Sequence, residues 1–158
     1  MIEPAREDDG PEILLLTANA GVFKPTEVAA VAEIWSDYLS EGAQGSGYYM
    51  LVYREAGELL GYACYGPHPL TEGTFDLYWI AVDRAHRGHG IGLALLQAVE
   101  AGVRSLGGRM ITVETSGTPE YAPARHVYAS AGYLDEARLR DFYSPGDDLV
   151  IYTRHIEL

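Results

Sequence analysis

One stretch constrains the fold more than any other: Phe75 to Leu96, F-D-L-Y-W-I-A-V-D-R-A-H-R-G-H-G-I-G-L-A-L-L, where an apolar strand runs straight into a basic, glycine-rich turn that opens a helix. A strand, a tight turn and a helix in that order aim a row of free backbone N–H groups, and the positive end of the helix dipole, at whatever the turn holds. Gly88, Gly90 and Gly92 make the room, because without a Cβ an oxygen anion can approach the main chain and the turn can use positive φ. Arg84 and Arg87, with His86 or His89, add side-chain charge beside the amides. The pattern reads as a cradle for a pyrophosphate.

Around this turn the chain orders itself by apolar spacing and breakers. A short strand at Ile2 to Pro4 leads to a helix that Asp8 or Asp9 can cap, running to about Ala20 with Ile13, Leu14 and Leu16 as its apolar side. A second helix starts at Pro25-Thr26-Glu27, with Val28, Val31, Ile34, Trp35, Tyr38 and Leu39 at helical steps until Gly42. Gly42 to Gly47 reads as a loop. Tyr48 to Glu55 and Leu59 to Tyr65 form a hairpin over Ala56-Gly57-Glu58. The strand Thr74 to Val82 follows, then the glycine turn and a helix whose stripe is Ile91, Leu95, Val99, Val103 and Leu106. Met110 to Thr115 is a strand, Tyr121 to Ala131 a helix closed by Gly132, and the strands Asp135 to Tyr143 and Leu149 to Ile156 finish the chain. The order β-α-α-β-β-β-α-β-α-β-β predicts one α+β domain over residues 1–158, a mixed sheet with helices on its faces.

Charge and composition remove whole classes of partner. A net charge of −12 argues against nucleic acid or an anionic membrane surface, both of which need a basic footprint. No window has the length of uncharged apolar sequence that a membrane span needs, and the start, M-I-E-P-A-R-E-D-D, is acidic where a signal peptide is basic; a cytoplasmic protein is expected. The lone Cys64, in Gly61-Tyr62-Ala63-Cys64-Tyr65, reads as a small core residue. His68, His86, His89, His126 and His155 show no metal-ligand spacing, so no metal is expected.

A glycine turn after a strand admits a dinucleotide-binding reading, with Glu114 as the ribose-binding acid. The spacing refuses it: Gly88-x-Gly90 calls for a third glycine where Leu93 stands. The pattern that fits is R-x-x-G-x-G/A, met by Arg87, Gly90 and Gly92 after a strand ending in Ala81-Val82. With the later helix A-R-H-V-Y-A-S-A-G-Y, an Ala, then Tyr, then Gly-aromatic, the chain resembles the GNAT acetyltransferase superfamily over essentially its full length.

That resemblance implies a largely antiparallel sheet splayed in its middle, and acetyl-coenzyme A as cosubstrate. Main-chain groups of Ile80, Ala81 and Val82 would face the pantetheine and thioester, and the amides of Arg87, Gly88, His89, Gly90, Ile91 and Gly92 the pyrophosphate. A backbone N–H near Ile80 or Ala81 would hold the developing oxyanion. Tyr128 takes the place of the family's leaving-group acid, while Glu114, Asp76 and Glu72 are the candidate bases, with proton loss through water as the alternative. Alternation puts Asp76, Tyr78, Ile80 and Val82 on one face unless a bulge, expected here, breaks the phase. Where the second signature usually has an Asn seven residues before the Tyr, this chain has Tyr121.

For the acceptor, Trp35, Asp37, Tyr38 and Glu41 on the second helix, with Tyr48, Tyr49, Phe142 and Tyr143, offer charge and ring faces to a small cationic or amphipathic amine; ordinary packing is the other reading for Tyr48 and Trp35. The function implied is N-acetyl transfer to a primary amine of a small molecule or amino acid. A peptide N-terminus as acceptor, or a non-catalytic coenzyme A-binding module, are the alternatives. The exposed final hairpin admits a homodimer without requiring one.

Overall fold

The structure, a computed structural model, describes residues 1–157. Seven strands form one sheet in the order β1-β2-β3-β4-β5-β7-β6. They are β1 (Ile2–Pro4), β2 (Tyr49–Glu55), β3 (Glu58–Pro67), β4 (Thr74–Val82), β5 (Met110–Ser116), β6 (Leu134–Ser144) and β7 (Asp147–His155). The helices are α1 (Gly10–Asn19), α2 (Pro25–Ser46), α3 (Ile91–Ser105) and α4 (Ala122–Ser130), so the expected order and the mixed sheet both stand. Among the described residues no helix is long and apolar enough to cross a membrane.

Strand alternation divides the core into two layers. Leu60, Ala63, Tyr65 and Phe75 pack with Leu95, Val99 and Val103 of α3 and Tyr128 of α4. Leu59, Tyr62 and Cys64 pack on the opposite face with Ile13 and Leu16 of α1 and Val31 and Trp35 of α2. The α3 stripe is as the spacing predicts except at its end: Leu106 lies past the helix and is exposed, while Leu96 is buried.

The expected loop from Gly42 to Gly47 is instead a second helical turn. Gly42, at φ 73° and ψ 177°, leaves helical space, but the backbone re-enters it at once. The Ser46 hydroxyl then donates to the Gly42 carbonyl at 2.6 Å, and Gly47, at φ 78°, ends the turn with its N–H on Ala43. A breaker residue here reorients a helix without stopping it.

Two irregularities in β4 position the site. Cys64 pairs with Trp79 but Tyr65 with Leu77, so Tyr78 is the extra residue of a bulge. The phase inverts across it: Phe75 and Leu77 belong to the α3-side core before the bulge, and Ile80 and Val82 pack against that same core after it. β4 also pairs with β5, in parallel, only through Thr74, Phe75 and Asp76, opposite Met110, Ile111 and Thr112. Beyond Asp76 the two strands part, which is the splay expected from the resemblance.

A candidate active site in the parted sheet

The parting of β4 and β5 opens a cleft of about 920 Å³. One wall is β4, where the edge that faces β5 pairs with no strand beyond Asp76. The other is β5 with the start of α4, and the glycine turn closes one end. Ile80, Ala81, Val82, Arg87, Gly88, Gly90, Ile91 and Gly92 all line it.

The glycine turn has the geometry an anion requires. Gly88 and Gly90 hold φ of 80° and 81°, and the space where a Cβ would stand is open at both. No side chain caps α3, and its first turn closes with the Ala94 N–H on the Gly90 carbonyl, so the amides of Ile91, Gly92 and Leu93 have no helical acceptor. Arg87 sends its guanidinium to the Ala20 carbonyl at 2.6 Å, tying the turn to the end of α1. His89 does not line the cleft; its Nδ1 lies 3.0 Å from the His86 carbonyl and its ring stays outside, while His86 lines the cleft in its place. Arg84 packs against Gly21 rather than in the cradle.

Tyr128, on α4, lines the cleft from within the core, 5% exposed and set against Tyr133 and Tyr152 at ring distances of 6.0 and 5.6 Å. Burial, followed by the neighbouring tyrosines, raises the pKa of its hydroxyl, which therefore stays protonated. Asp76 lies at the apex of the splay, where its carboxylate accepts from the Thr112 hydroxyl at 2.8 Å and meets His68 Nδ1 at 2.6 Å. Glu114 lines the β5 wall with no hydrogen bond or ion pair to its carboxylate among the described residues. Glu72 lies outside the cleft, its carbonyl accepting from Arg109.

The aromatic residues expected on the acceptor side divide sharply. Tyr143 lines the cleft, but Phe142 does not; it stands 56% exposed on β6, its ring edge-on to Tyr143. Trp35 is buried in the α1–α2 core, and Tyr38 packs on it with its hydroxyl donating to the Ala5 carbonyl at 2.9 Å. Neither reaches the cleft, because the face of α2 that carries them is the one that seals the sheet. Asp37 and Glu41 are exposed on the same helix, away from the cleft.

In their place the site takes residues that spacing did not single out. The connection between α1 and α2 brings Val22, Phe23 and Lys24, and the first turn of α2 brings Glu27. Phe23 packs on Trp79 at 5.4 Å, and the Trp79 Nε1 is buried with no hydrogen-bond partner. Tyr121, in the place of the usual Asn, donates its hydroxyl to the Val22 carbonyl at 3.3 Å and so joins the two rims of the cleft. Burial, then Glu27, Asp147, Tyr143 and Glu120, push its pKa up to about 12. This rim is therefore rich in carboxylates, in contrast to the basic glycine turn. Phe23 stands two residues after Gly21 in the connection between two helices, and no local pattern marks such a residue as functional.

A family model described as "Acetyltransferase (GNAT) family" matches residues 15–133. The crystal structure of a GNAT-family protein from Desulfovibrio desulfuricans superposes with a TM-score of 0.94 at 40% identity, covering 99% of each chain. At 20% identity the ribosomal-protein-S18-alanine N-acetyltransferase of Escherichia coli superposes with a TM-score of 0.79 over 100% of this chain and 94% of that one. The structure of a Salmonella typhimurium protein with its cofactor acetyl-CoA gives 0.79 at 19% identity, over 100% of this chain and 94% of that one. The two more distant likenesses concern the fold. No curated protein matches the chain.

Proposed function

The chain belongs to the GNAT acetyltransferase family, and on that premise we propose that it moves the acetyl group of acetyl-coenzyme A directly to a primary amine of a small molecule or amino acid. The observation that carries this reading is one continuous cleft, with a basic glycine turn at one end, an unpaired strand edge along its wall and a carboxylate-rich aromatic rim. Each part suits a different piece of the chemistry.

The free amides from Ile91 to Leu93 and the positive φ of Gly88 and Gly90 fit a pyrophosphate. The unpaired edge of β4 from Leu77 to Val82 suits an extended amide-bearing arm, which would bond to it as another strand does. When bound, acetyl-coenzyme A supplies an activated thioester. Main-chain N–H groups near Ile80 and Ala81 stabilise negative charge on a carbonyl oxygen, since they are held in place before the reaction begins. Tyr128 keeps its proton to high pH and so serves as donor to a departing thiolate. Glu27, Glu114 and Glu120 at the rim favour an acceptor that arrives as a cation.

Thermal unfolding with acetyl-coenzyme A, coenzyme A and NAD, followed by thiol-release assays over a panel of amines, tests the proposal. A midpoint raised by either coenzyme A form, with thiol release that requires an amine, is the expected result. Stabilisation without turnover by any amine would instead mark a coenzyme A-binding module. Tyr143, reaching the cleft from β6, also suits a peptide N-terminus, so short peptides belong in the panel.

A further inference from the structure

The proposed transfer needs an exit for the acceptor's proton, and the apex of the splay holds an imidazole in contact with a carboxylate. His68 follows β3, its backbone N–H donating to the Thr74 carbonyl at 2.8 Å, which sets the ring beside β4. Its Nδ1 meets Asp76 Oδ2 at 2.6 Å, and the other Asp76 oxygen accepts from Thr112 at 2.8 Å. Asp76 and Thr112 are also the last paired residues before β4 and β5 separate, so backbone and side chains both fix this carboxylate. Both His68 and Asp76 line the cleft, yet the His68 side chain is 52% exposed. One imidazole thus borders the reaction space and bulk water together.

We propose, resting on the acetyltransferase reading above, that His68 is the base that takes the acceptor ammonium's proton and passes it to solvent, with Asp76, clasped by Thr112, as its positioning residue. The Nδ1–H donates to the Asp76 carboxylate, which leaves the lone pair on Nε2. The ammonium gives one proton to Nε2; its freed pair forms the C–N bond to the thioester carbonyl carbon as the C–S bond breaks. The departing sulfur takes up a proton and the product nitrogen loses its second one, so one proton in net terms reaches solvent. A His–carboxylate pair suits this step because one ring nitrogen can take up a proton while the other stays bonded to the carboxylate, and an unassisted amine is almost wholly charged at neutral pH. The charged and titratable groups on the surrounding elements are Glu72 in the same connection, Asp76 and Tyr78 on β4, Tyr48 against Tyr78, and Arg109 and Glu114 at the head and wall of β5.

The test is the pH profile of kcat/KM for an accepted amine at saturating acetyl-coenzyme A, in the full chain and in His68→Gln, Asp76→Asn and Glu114→Gln. His68→Gln should lower kcat/KM about 100-fold at neutral pH, flatten the acid limb and recover as pH approaches the amine's own pKa. Asp76→Asn should lower kcat with the KM for the amine little changed, because the ring loses the carboxylate that orients it without losing a contact to the acceptor. Both variants should keep the full thermal shift with acetyl-coenzyme A. A limb that survives His68→Gln and vanishes in Glu114→Gln overturns the proposal and gives the role to Glu114. Absence of turnover in the unaltered protein, despite acetyl-coenzyme A binding, overturns the transferase reading and this inference together.

Discussion

Asp76 and Thr112 are the last rung between β4 and β5: they face each other in parallel register, and the Thr112 hydroxyl donates to the Asp76 carboxylate at 2.8 Å across the point where the strands begin to part. The cleft opens where this pairing stops. A side-chain bond at that place holds the apex closed while the strands beyond it diverge. Thr112→Val, which keeps the shape and removes the donor, should destabilise the fold by about 1.5 to 3 kcal/mol, the range for a hydrogen bond to a charged group. Chemical denaturation would show the loss as a lower midpoint with an unchanged slope.

Tyr128→Phe should preserve the fold and slow the reaction. The ring packs against Tyr133 and Tyr152, and its hydroxyl makes no hydrogen bond among the described residues, so removing the oxygen costs little packing. The rate of amine acetylation should fall on the order of 100-fold with an unchanged thermal shift from acetyl-coenzyme A. Burial raises the hydroxyl's pKa, so the donor form persists as pH rises and no basic limb from Tyr128 should appear below pH about 10. An unaltered rate would remove Tyr128 from the mechanism.

Gly90→Ala separates backbone strain from steric clash. The position has φ 81° and nothing within 4 Å of the added Cβ, so the methyl meets no atom but the conformation disfavours it. A cost of about 1 kcal/mol is expected in the free protein. Any relaxation towards negative φ turns the α3 amides away from the cradle. Calorimetric titration should therefore show weaker acetyl-coenzyme A binding, by more than the stability loss alone would suggest.

Arg54 staples the amino terminus to the sheet by pairing with Glu3 on β1 and with Asp9 before α1. Burial pushes the Asp9 carboxyl up, but the Arg54 and Arg6 hydrogen bonds outweigh it, and its pKa lies below the ordinary value. A depressed folded value means that the stabilisation is whole above the unfolded value of about 4 and fades as pH falls through the folded one. Melting temperature should accordingly fall below pH about 4 in the parent protein and less steeply in Asp9→Asn. Arg54→Met leaves Asp9, only 4% exposed, without its cation and should cost about 3 kcal/mol or more at neutral pH.

Cys64 is 1% exposed, and burial pushes its thiol pKa up to about 12. Alkylating reagents should leave the native protein unmodified and label it stoichiometrically in denaturant, at a rate that reports opening of the core. Rapid labelling in native buffer would show that the sheet opens locally around β3.

Much of this was legible along the chain because it depends on neighbours within a few residues. The strand, glycine turn and helix from Thr74 onward, the stripe of α3 and the Gly132 helix stop all follow from local sterics and apolar spacing. So does the tight β2–β3 turn, where Ala56 joins Gly57 at positive φ. The element order and the cofactor end of the cleft come with them, since the cradle is a single continuous segment. Where local rules compete they mislead, as at Gly42, a breaker after which the helix resumes.

The acceptor end obeys a different logic. Trp35 and Tyr38 have the composition of a binding surface, but α2 turns them into the core, and Phe23 and Trp79 line the cleft instead. Even the face that a β4 residue presents depends on the Tyr78 bulge, and the bulge is defined only by pairing with β3. His68 meets Asp76 because β3 and β4 pair, and Asp9 meets Arg54 through contacts that cross most of the amino-terminal half. Spacing along the chain encodes conformation, because torsions and the first neighbours set it. Which side chains share a cavity is set by packing between segments far apart in sequence, and that is a property of the assembled sheet.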